Sequence, residues 1–148
     1  MKKIFLSLPM KNRSDEAIKA TIEGMKRILK AYYPDEELVF YDNFEAGYKI
    51  PQELIDGAAH PQFLYLSRAL FKIAACEYIA YIDTEVIWRI NENYNGCKLE
   101  MVAADSYGLK SIKISDETGE ILLPDLYEKA EEEAKKATKC YGETVKKA

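Results

Sequence analysis

The alternation of short apolar runs with segments of helical length constrains the fold of this chain more than any other feature. The run from Ile4 to Leu8 stops at Pro9, and the run from Tyr78 to Ile82 stops at Asp83. Continuous apolar runs of this length are typical of strands that are buried on both faces. Strands separated by helices form parallel sheets with helices on both faces, so the sequence predicts an α/β fold.

Two helices have clear signals in the sequence. Ser14 is a suitable N-cap for the first, in which apolar residues repeat at helical spacing as far as Tyr33. A further helix is predicted to begin at Pro61, because proline suits the first helical position. The wide apolar face expected on this helix consists of Leu64, Leu66, Leu70, Ile73 and Ala74.

The other predicted elements depend on shorter patterns. They are strands over 37–41 and 111–114, a long connection over 42–60, a turn over 116–119, and a last helix from Pro124 to near Gly142. The length of the chain indicates a single domain over 1–148, in which 118–148 form a C-terminal helical extension. We expect a Rossmann-like or flavodoxin-like three-layer sandwich with a mostly parallel sheet of four to five strands.

Composition and charge exclude several classes of protein. The net charge is −4, and the basic residues interleave with acids along helical segments, which argues against a nucleic-acid partner. No apolar run approaches the ~20 residues that span a bilayer, so we expect no membrane partner. Pro9 and the charges after it interrupt the first apolar run before a signal peptide could form. A cytoplasmic protein with a small-molecule ligand is the resulting expectation.

Cysteine and histidine content argues against a disulfide framework or a structural metal. Cys76, Cys97 and Cys140 are odd in number, far apart and without a C-x-x-C pair, which fits a reducing compartment. His60 is the only histidine, so multi-histidine metal sites are excluded. No motif supports a flavin or another cofactor, and we expect none.

The small-residue turn over 95–100 is the strongest candidate for chemistry. It delivers Glu100 onto the first turns of a helix predicted from about Cys97 to Tyr107 and ended by Gly108. Free N–H groups and the positive dipole end at the start of a helix favour ionised side chains, so we expect an ionised carboxylate at Glu100. The same geometry also begins many helices that have no function. The cysteines are interpreted as small core residues; the alternative for Cys97, near the helix start, is a thiol of lowered pKa, for which the sequence offers no partner base. The residues expected to face inward on this helix are Leu99, Val102 and Ala103.

Three segments are predicted to meet at one edge of the sheet. They are Ser7 to Ser14 after the first strand, Asp83 to Trp88 after the third, and Tyr94 to Glu100 before the following helix. In doubly wound sheets, ligands bind beyond the carboxyl ends of the strands, near the point where the strand order reverses. We therefore expect a ligand site at this edge.

Parts of the chain carry a family resemblance. They are Ile4-Phe5-Leu6-Ser7-Leu8-Pro9-Met10, His60-Pro61-Gln62-Phe63-Leu64-Tyr65-Leu66, and Trp88 followed by Gly96-Cys97-Lys98-Leu99-Glu100. In this order and spacing they resemble the nucleoside 2-deoxyribosyltransferase-like superfamily, and more narrowly its small bacterial and phage branch. The resemblance covers roughly Met1 to Ile114.

The resemblance implies an enzyme that cleaves or transfers the N-glycosidic bond of a nucleoside or nucleotide. Glu100 stands where these enzymes have the nucleophile that attacks the anomeric carbon, and Asp83 stands where it could bind or protonate the leaving base. The residues implied in substrate binding are Ser7, Leu8, Pro9, Trp88, Asn95, Gly96 and Cys97. The resemblance also implies a homo-oligomer.

Two departures from the family pattern leave a second function open. Active transferases carry an acid shortly before the glycine of the nucleophile motif, whereas this chain has Asn93-Tyr94-Asn95, and the step from Trp88 to Gly96 is eight residues. Both departures favour a protein that binds or sequesters a nucleotide-derived metabolite without cleaving it. The retained Gly-x-x-x-Glu pattern favours the enzyme.

Overall fold

Four strands form the centre of the fold: β1 (Lys2–Ser7), β2 (Leu38–Asp42), β3 (Tyr78–Asp83) and β4 (Lys110–Ser115). The computed structural model describes residues 1–10, 13–44, 51–60, 62–83, 95–128 and 132. All neighbouring strands pair in parallel, in the order β2-β1-β3-β4. The predicted strands are confirmed, with ends that differ by one or two residues.

The helices are α1 (Asp15–Tyr32), α2 (Gln52–Asp56), α3 (Gln62–Ile73) and α4 (Asn95–Ser106). Residues 124–128 are also helical. The predicted N-cap of α1 is confirmed, because Ala17 N donates to Ser14 Oγ at 3.1 Å. Gly108 follows α4 with a φ of 78°, the left-handed conformation expected of a residue that ends a helix. The short helix α2 interrupts the connection that the sequence predicted over 42–60.

Side chains of successive strand residues point to opposite faces of the sheet, which divides the core into two layers. Ile4 and Leu6 of β1 pack against α1, whereas Phe5 packs against residues of α3 and α4. Helices therefore cover both faces, and the molecule is an α/β three-layer sandwich of the flavodoxin type. The strand order reverses between β1 and β3: from β1 the chain continues to β2 on one side of the sheet, and from β3 it continues to β4 on the other side.

The segment 122–128 packs on the α1 face of the sheet. Leu122, Leu123 and Leu126 are buried in the same cluster as the inward residues of α1. The buried Thr21 hydroxyl donates to the carbonyl oxygen of Leu122 at 2.7 Å. The segment before it is the predicted turn, closed by a hydrogen bond from Gly119 N to the carbonyl oxygen of Asp116 at 3.1 Å.

The predicted inward face of α4 is wrong. Leu99 and Val102 are exposed, and the residues that face the sheet are Glu100, Met101 and Ala104. Residues 101–104 are apolar throughout, so the pattern does not select one face. The structure also buries the Glu100 carboxyl, although burial of a charge is costly.

The predicted apolar face of α3 is wrong in part. Ile73 is buried as expected and Ala69 is buried beside it, whereas Leu70 and Ala74 are exposed. Because the helix rests on the sheet along a narrower stripe, fewer of its apolar residues are covered than the pattern indicated.

Several predictions concern residues outside the described ones. These are the start of a helix at Pro61, the position of Trp88, the third cysteine Cys140 and the body of the last helix as far as Gly142. Among the described helices, none is both long enough and apolar enough to cross a membrane.

Candidate functional site

Ser7 and Glu100 meet at the edge of the sheet where the carboxyl ends of the strands lie, called the carboxyl edge below. Ser7 is the last residue of β1 and points to the same face as Phe5, toward α4. Glu100 lies in the second turn of α4. The Ser7 hydroxyl donates to Glu100 Oε1 at 3.2 Å, across 93 residues of sequence. The structure thus brings together two of the predicted site residues.

Glu100 is a buried carboxyl that forms no ion pair with a described residue. Glu100 is only 7% exposed. No Lys or Arg in the described part of the chain forms an ion pair with it. Burial raises the pKa of Glu100 from an ordinary 4.5 to about 8, against the opposing hydrogen bond from Ser7. The expectation of an ionised carboxylate at neutral pH is wrong, because burial raises the pKa of Glu100 more than the hydrogen bond from Ser7 lowers it.

Cys97 lies one turn before Glu100 on the same side of α4. Burial, with the charge that Glu100 carries when ionised, raises the pKa of the Cys97 thiol to about 12, against a hydrogen bond from Ser7 and the charge of Arg13. The alternative of a lowered pKa is wrong, because burial outweighs the contributions that favour the thiolate. At neutral pH the thiol is protonated, so it is a weak nucleophile.

Arg13 lies in the segment 7–14 that was predicted to border the site, but the sequence did not single it out. Its side chain is 1% exposed, and its guanidinium makes two hydrogen bonds to Asp125, at 2.8 and 2.9 Å. A third hydrogen bond reaches the carbonyl oxygen of Pro9 at 2.7 Å, and a fourth reaches Thr21 Oγ1 at 2.8 Å. The positive charge of Arg13 is close enough to influence the Cys97 thiol.

The residues that follow Ser7 are held by the core and by Arg13. The Leu8 side chain is buried in the cluster on the α1 face, so it does not point toward Glu100. Pro9 is also buried, and its carbonyl oxygen accepts from Arg13. A ligand at this edge would meet the backbone of these residues before their side chains.

Asp83 ends β3, the strand beside β1. It points to the same face as Ser7, because Tyr81 is the register partner of Ser7 and Asp83 follows two residues later. The carboxylate of Asp83 lies 3.3 Å from Lys113 Nζ, a partly exposed ion pair. Asp83 therefore borders the site from the neighbouring strand.

Gly96, in the first turn of α4, has no close neighbour among the described residues. A methyl group built there would meet none of their atoms within 4 Å. Asn95 begins the helix. The candidate stacking residue Trp88 lies outside the described residues, and its place relative to Glu100 stays a prediction.

No metal site is evident in the described part of the chain, where no three His, Cys, Asp or Glu side chains cluster suitably. The single histidine, His60, is exposed, and its ring lies 5.4 Å from that of Phe63. An open groove of about 370 Å³ lies elsewhere, between the end of α1 and β4, and is lined by Tyr32, Tyr33 and residues 111–115. Its lining contains no residue of the Ser7–Glu100 pair.

Comparison with known proteins gives no independent assignment. No protein-family model matches the chain. The search of curated proteins also found no match. The function is therefore argued from the geometry and chemistry of the site.

Proposed function

We propose that this protein cleaves or transfers the N-glycosidic bond of a nucleoside or nucleotide, with Glu100 as the nucleophile. The observation that carries the proposal is the buried Glu100 carboxyl at the carboxyl edge, hydrogen-bonded to Ser7 and paired with no described cation. The site lies where β1 and β3 adjoin at the reversal of strand order, the usual ligand position in such sheets.

The burial of Glu100 is difficult to explain by stability alone. A glutamine of nearly the same shape would accept the same hydrogen bond from Ser7 and would never carry a charge in the interior. Buried ionisable groups with strongly shifted pKa values cluster at functional sites, because catalysis uses the change of protonation state. A reactive role for Glu100 explains why the carboxyl is buried at this position.

The proposed reaction has two displacement steps. In the first, a carboxylate oxygen of Glu100 bonds to the anomeric carbon, and the electron pair of the breaking carbon–nitrogen bond stays on the base, which takes up a proton. In the second, the oxygen of water or the nitrogen of another base attacks the same carbon. The ester bond to Glu100 breaks, its electron pair returns to the carboxylate, and the attacking group releases a proton.

The neighbouring residues suit this chemistry. Asp83 is proposed to bind the leaving base, since it borders the pair from the next strand; the proton that the base takes up then comes from water, because the Asp83 carboxylate is ion-paired with Lys113. The backbone at Gly96 is proposed to approach the oxygens of the sugar or of a phosphate, because N–H groups at a helix start favour anions. The Ser7 hydroxyl is proposed to orient Glu100.

A second candidate function is binding without cleavage, favoured by the protonated state of Glu100. A carboxyl with a pKa of about 8 is mostly neutral at pH 7, and a neutral carboxyl both donates and accepts hydrogen bonds. Such a group can recognise a sugar hydroxyl or the edge of a base without attacking carbon. In this case the protein would retain an intact nucleotide-derived metabolite.

The proposal is tested by incubating the protein with nucleosides, nucleoside monophosphates and NAD-derived nucleotides, one at a time. Released base is measured by chromatography and bound ligand by native mass spectrometry. We expect one class of substrate to release free base, and E100Q to retain the ligand while base release falls by about 10³-fold or more. D105N, which removes an exposed acid from the same helix, is the matched control and should leave base release unchanged.

The outcomes separate the two functions. Base release that depends on Glu100 supports the enzyme. An intact ligand that is bound with no free base, equally well by wild-type protein and E100Q, overturns the enzyme and supports the binding protein. Base release that survives in E100Q overturns the role of Glu100 as nucleophile.

A further inference from the structure

Arg13 is the centre of a hydrogen-bond network that joins three parts of the chain. Its guanidinium binds Pro9 in the loop after β1, Thr21 in α1 and Asp125 in the segment 122–128. Thr21 Oγ1 also contacts the carbonyl oxygen of Leu122 at 2.7 Å, so α1 and the segment are joined twice. The Arg13 side chain is 1% exposed, which makes these hydrogen bonds costly to break.

The network closes the loop that follows Ser7. Arg13 Nη1 donates to the Pro9 carbonyl oxygen, and the Arg13 backbone N–H donates to the Met10 carbonyl oxygen at 3.3 Å. Arg13 thus links the backbone of this loop to Asp125, 112 residues away. Pro9 is two residues after Ser7, whose hydroxyl holds Glu100.

We propose that Arg13 and Asp125 are positioning residues: their bidentate ion pair ties the loop after β1 to the segment 122–128 and so holds Ser7 against Glu100. This inference rests on the proposed function only in taking the Ser7–Glu100 pair as the ligand site. It assigns a role to Asp125, which lies beyond the part of the chain that carries the family resemblance. The fork of Arg fits a carboxylate through two parallel hydrogen bonds, a geometry that Lys cannot reproduce.

The protonation of Asp125 is consistent with this role. Its partial burial opposes ionisation, but the hydrogen bonds and charge of Arg13 outweigh burial and lower the pKa of Asp125. The carboxylate is thus charged at neutral pH and available to Arg13. In the asparagine variant one hydrogen bond from Arg13 is retained and the charge attraction is lost.

The test measures Glu100 in the ligand-free protein. The side-chain carboxyl of Glu100 is followed against pH by ¹³C NMR and assigned by its absence in E100Q. In D125N we expect the pKa of Glu100 to fall by about one unit or more, because a loosened loop lets water reach the carboxyl.

Two control variants accompany D125N. D125E keeps the negative charge at residue 125 and should restore most of the wild-type pKa of Glu100. E36Q removes the ion pair between Lys2 and Glu36, at the opposite edge of the sheet, and should leave Glu100 unchanged.

A purely structural ion pair would give a different result. D125N would then lower the unfolding temperature while Glu100 titrated as in the wild-type protein, and this outcome overturns the inference. If D125N does not fold, R13K carries the same expectation, because it keeps the charge and loses the planar fork. A fall in the Glu100 pKa in D125N, together with no base release and no bound nucleotide in the wild-type protein, would support positioning and overturn the proposed function. If the pKa of Glu100 stayed at the wild-type value in D125N, while the wild-type protein released base in a reaction that requires Glu100, the positioning role would be overturned and the proposed function supported.

Discussion

At the scale of single residues, the protonation state of Glu100 decides what the site can do. With a pKa of about 8, the Glu100 carboxyl is mostly neutral at pH 7. Attack on carbon needs the carboxylate, whereas hydrogen bonding to a neutral ligand suits the acid. The Ser7 hydroxyl favours the ionised form, and burial favours the neutral one. A ligand that brings a positive charge near Glu100, as an oxocarbenium-like transition state does, would favour ionisation.

Replacement of Glu100 by glutamine is expected to increase stability at high pH. The unfolded carboxyl ionises near 4.5 and the folded one near 8, so the folded protein holds a proton that the unfolded protein releases. The free energy of unfolding of the wild-type protein therefore falls as pH rises between these values and levels off above them. At about 1.4 kcal/mol per pKa unit, E100Q should exceed the wild-type protein by a few kcal/mol at pH 9. Urea unfolding at pH 5, 7 and 9 measures this difference.

The control for this prediction is D105N on the exposed side of α4, which should unfold in parallel with the wild-type protein at each pH. If E100Q and the wild-type protein lost stability equally between pH 5 and 9, Glu100 would not be buried as a neutral acid.

Sequence patterns found some of these residues and could not find others. Glu100 and Ser7 stand at the start of a predicted helix and the end of a predicted strand, so topology alone brought them to one edge. The protonation states of Glu100 and Cys97 depend on burial, which follows from the packing of α4 and is not visible in local sequence. The partnership of Arg13 with Asp125 joins residues 112 apart, and no local pattern indicates it.

At the scale of elements, the segment 122–128 packs against α1 and is hydrogen-bonded through Arg13 to the loop after β1. Leu122 is fully buried, and Gly24 of α1 lies directly beneath it. A Cβ atom at residue 24 would lie only 2.6 Å from Leu122 Cδ2. The Leu122 side chain therefore occupies the space that a side chain at residue 24 would need.

Substitution of Gly24 by alanine should destabilise the protein although alanine favours helices. The clash with a fully buried leucine is expected to cost about 1–3 kcal/mol, which offsets the gain of roughly 1 kcal/mol in helix propensity. Urea unfolding of G24A, L122V and the double variant measures the effect. Because L122V removes the clashing methyl group, the double variant should be more stable than the sum of the single effects indicates. Strict additivity would mean that the two residues do not touch.

The elements themselves were largely predictable. The capped start of α1, the buried strands and the glycine that ends α4 follow from local sequence, and the structure confirms them. The inward face of α4 was not predictable, because residues 101–104 are all apolar and only tertiary packing selects Glu100 and Ala104. The short helix α2 was missed because no inward apolar stripe marks it.

At the scale of the whole molecule, the strand order places the site. Ser7 and Asp83 end the two central strands, on either side of the point where the order reverses. The helix α4 follows β3 in the chain and packs against β1 and α3, so its first turns reach the same edge. The predicted parallel three-layer sandwich is confirmed, with four strands described. A homo-oligomer stays a prediction of the family resemblance.

The central claim is tested most directly by the rate of free base release against pH, between pH 6 and 9.5, with the substrate at concentrations well below saturation. Since the attacking group is the ionised Glu100 carboxyl, we expect the rate to rise about tenfold per pH unit at low pH and to level off above about pH 8. A rate that falls through this range would mean that Glu100 acts in its protonated form. No base release at any pH would leave the site as one that binds a ligand without cleaving it.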